Sequence, residues 1–406
     1  MVGAIYIYSL GLFIQPIEQE YGWSRTEISF GLTLLSIICV LLAPFMGMII
    51  DKLGARSLAL PGMVVYCLAI ASLSLVGKEV WMWWVGWFFV ALGSVAIKPT
   101  VWAAAVSSYF SAGRGFAMAV ALCGTGIGQA LLPPLTNALV AELGWRAAYV
   151  VLGLGSAVII LPLLFFFFYD ARESNRRKGV ANVGRQTMPG LDLREGFASF
   201  RFIFLAATAL ITTTGIVGIV VHFVPILSAG GLDRTTAAAA AGVIGLASMT
   251  GRLATGFLLD RIDGRIIGGI SYSTPIITCL LMLQFDGTFE QALVLAVITG
   301  LSLGAEIDVL AYLASRYFGL RNYGTLYGTI VGLTTLGGGV GPLIAGFIYD
   351  TTGGYSLALM LFIPAFLAAA LMIVSLGRYP VFAAPAMEPK TPASAGETTS
   401  AVEATP

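Results

Sequence analysis

The chain has 406 residues, a net charge of +1, and a composition that is 58% hydrophobic but only 11% charged, with a mean hydropathy of +0.90. A water-soluble domain carries roughly 25% charged residues, so this balance excludes an ordinary soluble enzyme and points to lipid as the solvent. The near-neutral charge gives no reason to expect a nucleic-acid partner.

Twelve apolar runs follow one another, each near the length of about 20 residues that a helix needs to cross a bilayer. They fall at roughly 2–20, 27–50, 57–77, 80–109, 114–140, 146–169, 201–227, 235–259, 265–284, 289–315, 322–349 and 354–377. The first begins almost at Met1, with no basic flank and no cleavage-site pattern, so it is read as a membrane span and not a signal peptide. Its shortness suggests a natural start a few residues upstream. The segment 170–200 is polar and basic and is expected to be a cytoplasmic linker between residues 1–169 and 201–379, each a bundle of six helices. The tail 380–406 is rich in Pro, Ala, Ser, Thr and Glu and is expected to be disordered. The 49 glycines suit helices that approach closely in lipid. Cys39, Cys67, Cys123 and Cys279 all lie in apolar runs without metal-ligand spacing, so neither a metal nor another cofactor is implied. No phosphate-cradling G-x-x-x-x-G-K-[ST] loop occurs, so nothing points to ATP.

Basic residues are distributed unevenly among the loops. With the first span leaving the cytoplasm, sixteen Lys and Arg fall on the cytoplasmic side against Arg25, Lys78, Arg146 and Arg234 opposite. That asymmetry predicts both termini in the cytoplasm of a cell membrane, plasma or inner.

The two halves repeat each other at an offset of 209 residues: Gly47-x-x-x-Asp51-Lys52-x-Gly54-x-Arg56 returns as Gly256-x-x-x-Asp260-Arg261-x-x-Gly264-Arg265. Gly22 and Gly231, Arg25 and Arg234, Thr26 and Thr235, Pro133 and Pro342, and Gly144 and Gly353 share that spacing. At the ends of the second and eighth spans, such acids and bases can pair and hold one bundle against the other in one state of a cycle. The plainer alternative is a solvated turn. The double occurrence at matched positions favours the gating role for Gly47, Asp51, Arg56, Gly256, Asp260 and Arg265.

On these residues the chain resembles the major facilitator superfamily, whose hallmark is this loop in each half. Gly124-x-x-x-Gly128 before Pro133-Pro134, and Gly337-x-x-x-Gly341-Pro342 with Gly346, add to the likeness. The resemblance implies an all-α membrane protein of twelve transmembrane helices in two six-helix bundles. A narrower likeness is to the monocarboxylate porter branch, which includes bacterial lactate and oxalate carriers. It rests on Tyr109-Phe110-x-x-x-Arg114-Gly115-Phe116-Ala117, on Gly124-Thr125-Gly126-Ile127-Gly128, and on an eighth-span arginine followed by Gly256. The branch implies a carboxylate-binding role for Arg252. Its common aspartate one turn earlier is Ser248 here, and no Lys or Arg precedes Arg25, two departures from the pattern of the family's proton relay.

Five ionisable side chains fall within the spans: Lys98, His222, Arg252, Glu306 and Asp308. Such charges are costly in a bilayer and mark functional sites by default. Arg252 lies eight residues from Asp260, and Asp308 eight from Arg316, each about 12 Å along a helix, which places both near the midplane. Arg252 is the foremost candidate to bind a substrate carboxylate, with Ser248 on its helical stripe; a permanent ion pair with Glu306 or Asp308 is the alternative. Lys98, beside the kink expected at Pro99, and Trp102 one turn on are candidate cavity-lining residues, though Lys98 can equally snorkel. His222 is a candidate substrate or proton ligand, with a packing role near Pro225 as its alternative. Glu306 and Asp308 point about 200° apart on one helix, so only one can face Arg252, and either can carry a coupled proton. Together these residues predict a secondary active transporter of a small organic anion, a monocarboxylate with proton symport being preferred, acting as a monomer in membrane lipid. Anion exchange, a drug, cation or sugar cargo, and a transporter-like sensor are the alternatives.

Overall fold

The computed structural model describes residues 5–53, 55–98, 114–168, 190–319 and 321–380, with side chains at 43, 44, 46–53, 55 and 114–123 outside that description. Among the described residues, nine helical stretches are long and apolar enough to cross a bilayer. One of them, 44 residues from Gly124 to Phe167, holds both the fifth and sixth spans. The first span (Ile5–Tyr8 and Leu10–Tyr21) and the fourth (Val80–Val95) bring the number to the expected twelve. The remaining spans are Arg25–Leu53, Ala55–Ser72, Phe200–Ala229, Arg234–Leu259, Gly264–Leu283, Phe289–Phe318, Tyr323–Thr352 and Ser356–Val374.

Local chemistry sets the helix ends. Asp233 accepts hydrogen bonds from the Thr235 and Thr236 amides, both at 3.0 Å, and so caps the eighth span. Ser199 accepts from the Phe202 amide at 3.2 Å and caps the seventh. Four of the glycines matched at 209 residues, Gly22, Gly231, Gly144 and Gly353, have φ of 72°, 99°, 79° and 74°. Each sits where the chain leaves a helix in the left-handed region that a Cβ disfavours. This part of the sequence repeat is a repeat of helix ends.

Glycine also sets the distance between the eighth and tenth spans. A Cβ at Gly304 would collide with the Ser248 carbonyl oxygen, and one at Gly251 with that of Leu301. In lipid, where apolar burial drives helix association weakly, such small residues let backbones pack directly. On the far face of the eighth span, Leu246, Leu253 and Phe257 are 58%, 65% and 58% exposed at helical spacing, a stripe for acyl chains. Arg252 is thereby turned inward. The buried apolar residues gather into one cluster drawn mainly from the first six spans and two drawn mainly from the last six.

Candidate functional site

Close packing of the eighth and tenth spans brings Arg252 and Asp308 together. Arg252 Nη1 donates to Asp308 Oδ1 at 3.1 Å, with the two side chains 28% and 27% exposed. Tyr8 from the first span and Tyr327 from the eleventh lie within electrostatic reach of the guanidinium. The arginine therefore faces the seam between the halves and not lipid.

One turn along the eighth span, Ser248 donates to Gln129 Oε1 on the fifth, and Gln129 Nε2 donates to the Tyr8 hydroxyl. Ser248 and Gln129 are both buried. A polar chain thus joins the first, fifth and eighth spans beside Arg252. Towards the Asp350 end of the molecule it gives way to an apolar seam that includes Leu12, Pro133, Val221, Val224 and Ile244. Gln129 and Tyr8 escaped the sequence reading because a search for membrane charges passes over neutral polar groups. The signal was present: a glutamine set in the small-residue stretch Gly124 to Pro133 of an apolar span.

The other sequence candidates part company. Glu306, 3% exposed, accepts from the Thr213 hydroxyl on the seventh span. Its backbone carbonyl accepts from Tyr272 at 3.0 Å. Of the two acids, Asp308 is the one that meets Arg252. Lys98 is hydrogen-bonded to Tyr6 and Cys39 within its own half. Trp102 lies outside the described residues.

His222 is fully buried and belongs to a different cluster. Its Nε2 lies 3.1 Å from the Pro342 carbonyl and its Nδ1 2.8 Å from the Tyr355 hydroxyl. A carbonyl only accepts, so Nε2 carries the proton and Nδ1 accepts from Tyr355. The Tyr355 oxygen in turn accepts from Arg25 Nη1 at 2.6 Å. Arg25 also pairs with Glu18 at 3.1 Å and lies 3.6 Å above the Tyr349 ring. The Asp350 carboxylate accepts from the Arg25 and Thr26 amides at 3.1 and 2.8 Å and from the Thr26 hydroxyl. An acid on the eleventh span thus caps the second, across the halves. The matched residues act alike: Arg234 donates to the Leu12 carbonyl, and Thr235 accepts from Asn137 Nδ2 at 3.2 Å. Arg25-Thr26 and Arg234-Thr235 therefore tie each half to the other at one end of the molecule.

At the opposite end lies the second copy of the repeated motif. Arg265 pairs with Asp263, not Asp260, using Nε and Nη2 at 3.1 and 2.6 Å. Asp263 also accepts from the Arg265 amide at 2.9 Å and the Tyr379 hydroxyl at 2.8 Å. The Arg265 hydrogen bonds hold the Asp263 carboxyl below the usual carboxylate range. Arg261 lies over the Phe257 ring, and Arg56 donates to the Phe165 carbonyl at 2.8 Å. Gly256 has open space where a Cβ would stand, and Asp260 is the exposed C-cap of the eighth span. The side chain of Asp51 and the surroundings of Gly47 lie outside the described residues.

A family model described as Major Facilitator Superfamily matches residues 1–289 and 231–404. Monocarboxylate transporter 12 of Rattus norvegicus is 24% identical over 284 residues, which cover 64% of this chain and 58% of that protein. Monocarboxylate transporter 12-B of Danio rerio is 22% identical, covering 90% of this chain and 82% of that one. An uncharacterized MFS-type transporter of Bacillus subtilis (strain 168), YcxA, is 23% identical, covering 86% and 85%. Among solved structures, a bacterial homolog of the human lysosomal transporter Spinster, in an inward-facing and occupied conformation, superposes with a TM-score of 0.65. It shares 15% identity, and the match covers 92% of this chain and 90% of that chain. That likeness is one of fold.

Proposed function

This chain belongs to the major facilitator superfamily, and from that premise we propose that it carries a small organic anion, first of all a monocarboxylate, by alternating access. It is a multi-pass integral membrane transporter of small molecules and not an enzyme. The observation that carries the anion reading is Arg252, a permanent cation at mid-span, turned from lipid and held by Asp308 through Nη1. A guanidinium offers five N–H donors in a fork that fits a carboxylate, so an acid guest can compete with Asp308 for it. The low-identity likeness to monocarboxylate transporters of other organisms supports the same cargo class.

In the proposed cycle the substrate carboxylate replaces Asp308 on Arg252. Ser248, Gln129 and Tyr8, which join the halves beside that charge, sense the occupied site. Only interactions that differ between the two states shift the balance, and these cross-half bonds are of that kind. Proton symport is the coupling. The positive-inside asymmetry supports cytoplasmic termini, which places the Arg25–Asp350 contacts at the outer face of a cell membrane. The protein works as a monomer.

Uptake into proteoliposomes of a panel of labelled carboxylates, with and without a pH gradient, tests the reading. Arg252→Ala abolishes that uptake while the protein still inserts; wild-type uptake by this variant rejects the assignment. A cation carrier that grips its guest with Glu306 or Asp308 reverses the competition pattern, with amines inhibiting and lactate not.

A further inference from the structure

Glu306 and Asp308 stand two residues apart, yet the fold gives them unlike company. Asp308 has the Arg252 guanidinium. Glu306 is 3% exposed, and its hydrogen-bond partner is a neutral hydroxyl, that of Thr213. Among the described residues no Lys, Arg or His forms an ion pair with it. The titratable groups within electrostatic reach of it are Tyr272 on the ninth span and Tyr8 on the first, while Arg252 on the eighth is engaged by Asp308. Tyr327 on the eleventh faces Asp308 and Arg252. A carboxylate buried without an opposite charge is expensive, and a carboxyl escapes that cost by keeping its proton. A hydroxyl can serve either form, donating to the anion or accepting from the acid, so Thr213 accommodates both.

We propose that Glu306 holds the co-transported proton, while Asp308 serves only as the counter-ion that the substrate displaces from Arg252. The assignment rests on the proton-coupled anion reading above and divides roles between two acids that the sequence left equivalent. Glu306 takes a proton from a hydronium ion on the side where the site is open, the hydronium O–H bond breaking to leave water as the carboxyl O–H bond forms. It carries that proton as a neutral acid through the conformational change, and the O–H bond breaks to water on the other side. Proton and substrate anion therefore cross together, and Glu306 returns to the form in which it started.

Infrared difference spectra of the purified, reconstituted protein read this without any substrate. A carbonyl band of an un-ionised carboxylic acid is expected at neutral pH in the wild type and in Asp308→Asn, and is expected to vanish in Glu306→Gln. Thr213→Val, which removes only the hydroxyl partner, is expected to shift the frequency of that band. A wild-type spectrum lacking the band, or a Glu306→Gln spectrum retaining it, overturns the proposal. Transport in proteoliposomes, with lactate as the probe, gives the second reading. Glu306→Gln is expected to lower pH-driven accumulation at least tenfold relative to lactate counterflow. Arg252→Ala is expected to remove both. Retained pH-driven accumulation in Glu306→Gln overturns this assignment alone. Lactate exchange without proton movement in the wild type overturns the coupling and the assignment together.

Discussion

Arg25→Gln is the most direct way to release the contacts that join the two halves at the Asp350 end. The Arg25 side chain makes two interactions across the halves: a charged hydrogen bond to Tyr355 at 2.6 Å and a stack 3.6 Å above Tyr349. Its pairing with Glu18 lies within one half. A hydrogen bond to a charged group contributes about 1.5–3 kcal/mol net, and a cation–π contact about 0.5–2 kcal/mol. In the open state Arg25 regains water, so about 2 kcal/mol is a fair differential, which raises the open population roughly 30-fold. Thr33 reports it. Its hydroxyl donates to the Gly339 carbonyl across the halves at 2.8 Å, and the residue is 5% exposed. With Cys39, Cys67, Cys123 and Cys279 replaced, Thr33→Cys should react with an impermeant maleimide added outside about 30 times faster when Arg25 is also changed to Gln. Labelling that stays within about twofold of the Thr33→Cys parent, in protein that remains folded, shows that these contacts do not hold the halves closed.

Other outcomes follow from the same geometry. Asp308→Asn removes the group that competes for Arg252, so apparent affinity for a carboxylate should tighten roughly fivefold, about 1 kcal/mol for a partly exposed pair; equilibrium binding to purified protein checks it. Gly304→Ala places a methyl against the Ser248 carbonyl and should cost about 1–3 kcal/mol of stability, seen as a lower melting temperature in detergent. Asp263→Asn removes a charged cap and the paired hydrogen bonds to Arg265 and should cost about 1–2 kcal/mol in the same assay. The folded-state carboxyl of Asp263 is depressed, so its stabilisation is fully present above the unfolded Asp range. It is lost as pH falls through the lower folded value, so the gap between wild type and Asp263→Asn should narrow on acidification.

The sequence by itself determined the solvent, the number of spans and the duplication, because these depend on composition and on spacing along one chain. Runs of apolar residues must be helical in lipid, where every backbone amide needs an internal partner. Glycines at positive φ recur where the two halves end their helices in the same way. Sequence also singled out Arg252, because a lone charge in an apolar run is conspicuous. Which acid meets it was not legible, since Glu306 and Asp308 lie only two residues apart and span rotation decides between them. Gly251 and Gly304 set that rotation by letting two backbones pack directly, and a contact between helices has no signature in either helix alone. The same reason hid Gln129, whose partners Tyr8 and Ser248 lie 121 and 119 residues away. His222 looked like a member of the central site by depth, yet the fold spends both its nitrogens on Pro342 and Tyr355. Depth in a membrane can be counted along a helix, whereas azimuth is fixed only when neighbouring helices pack.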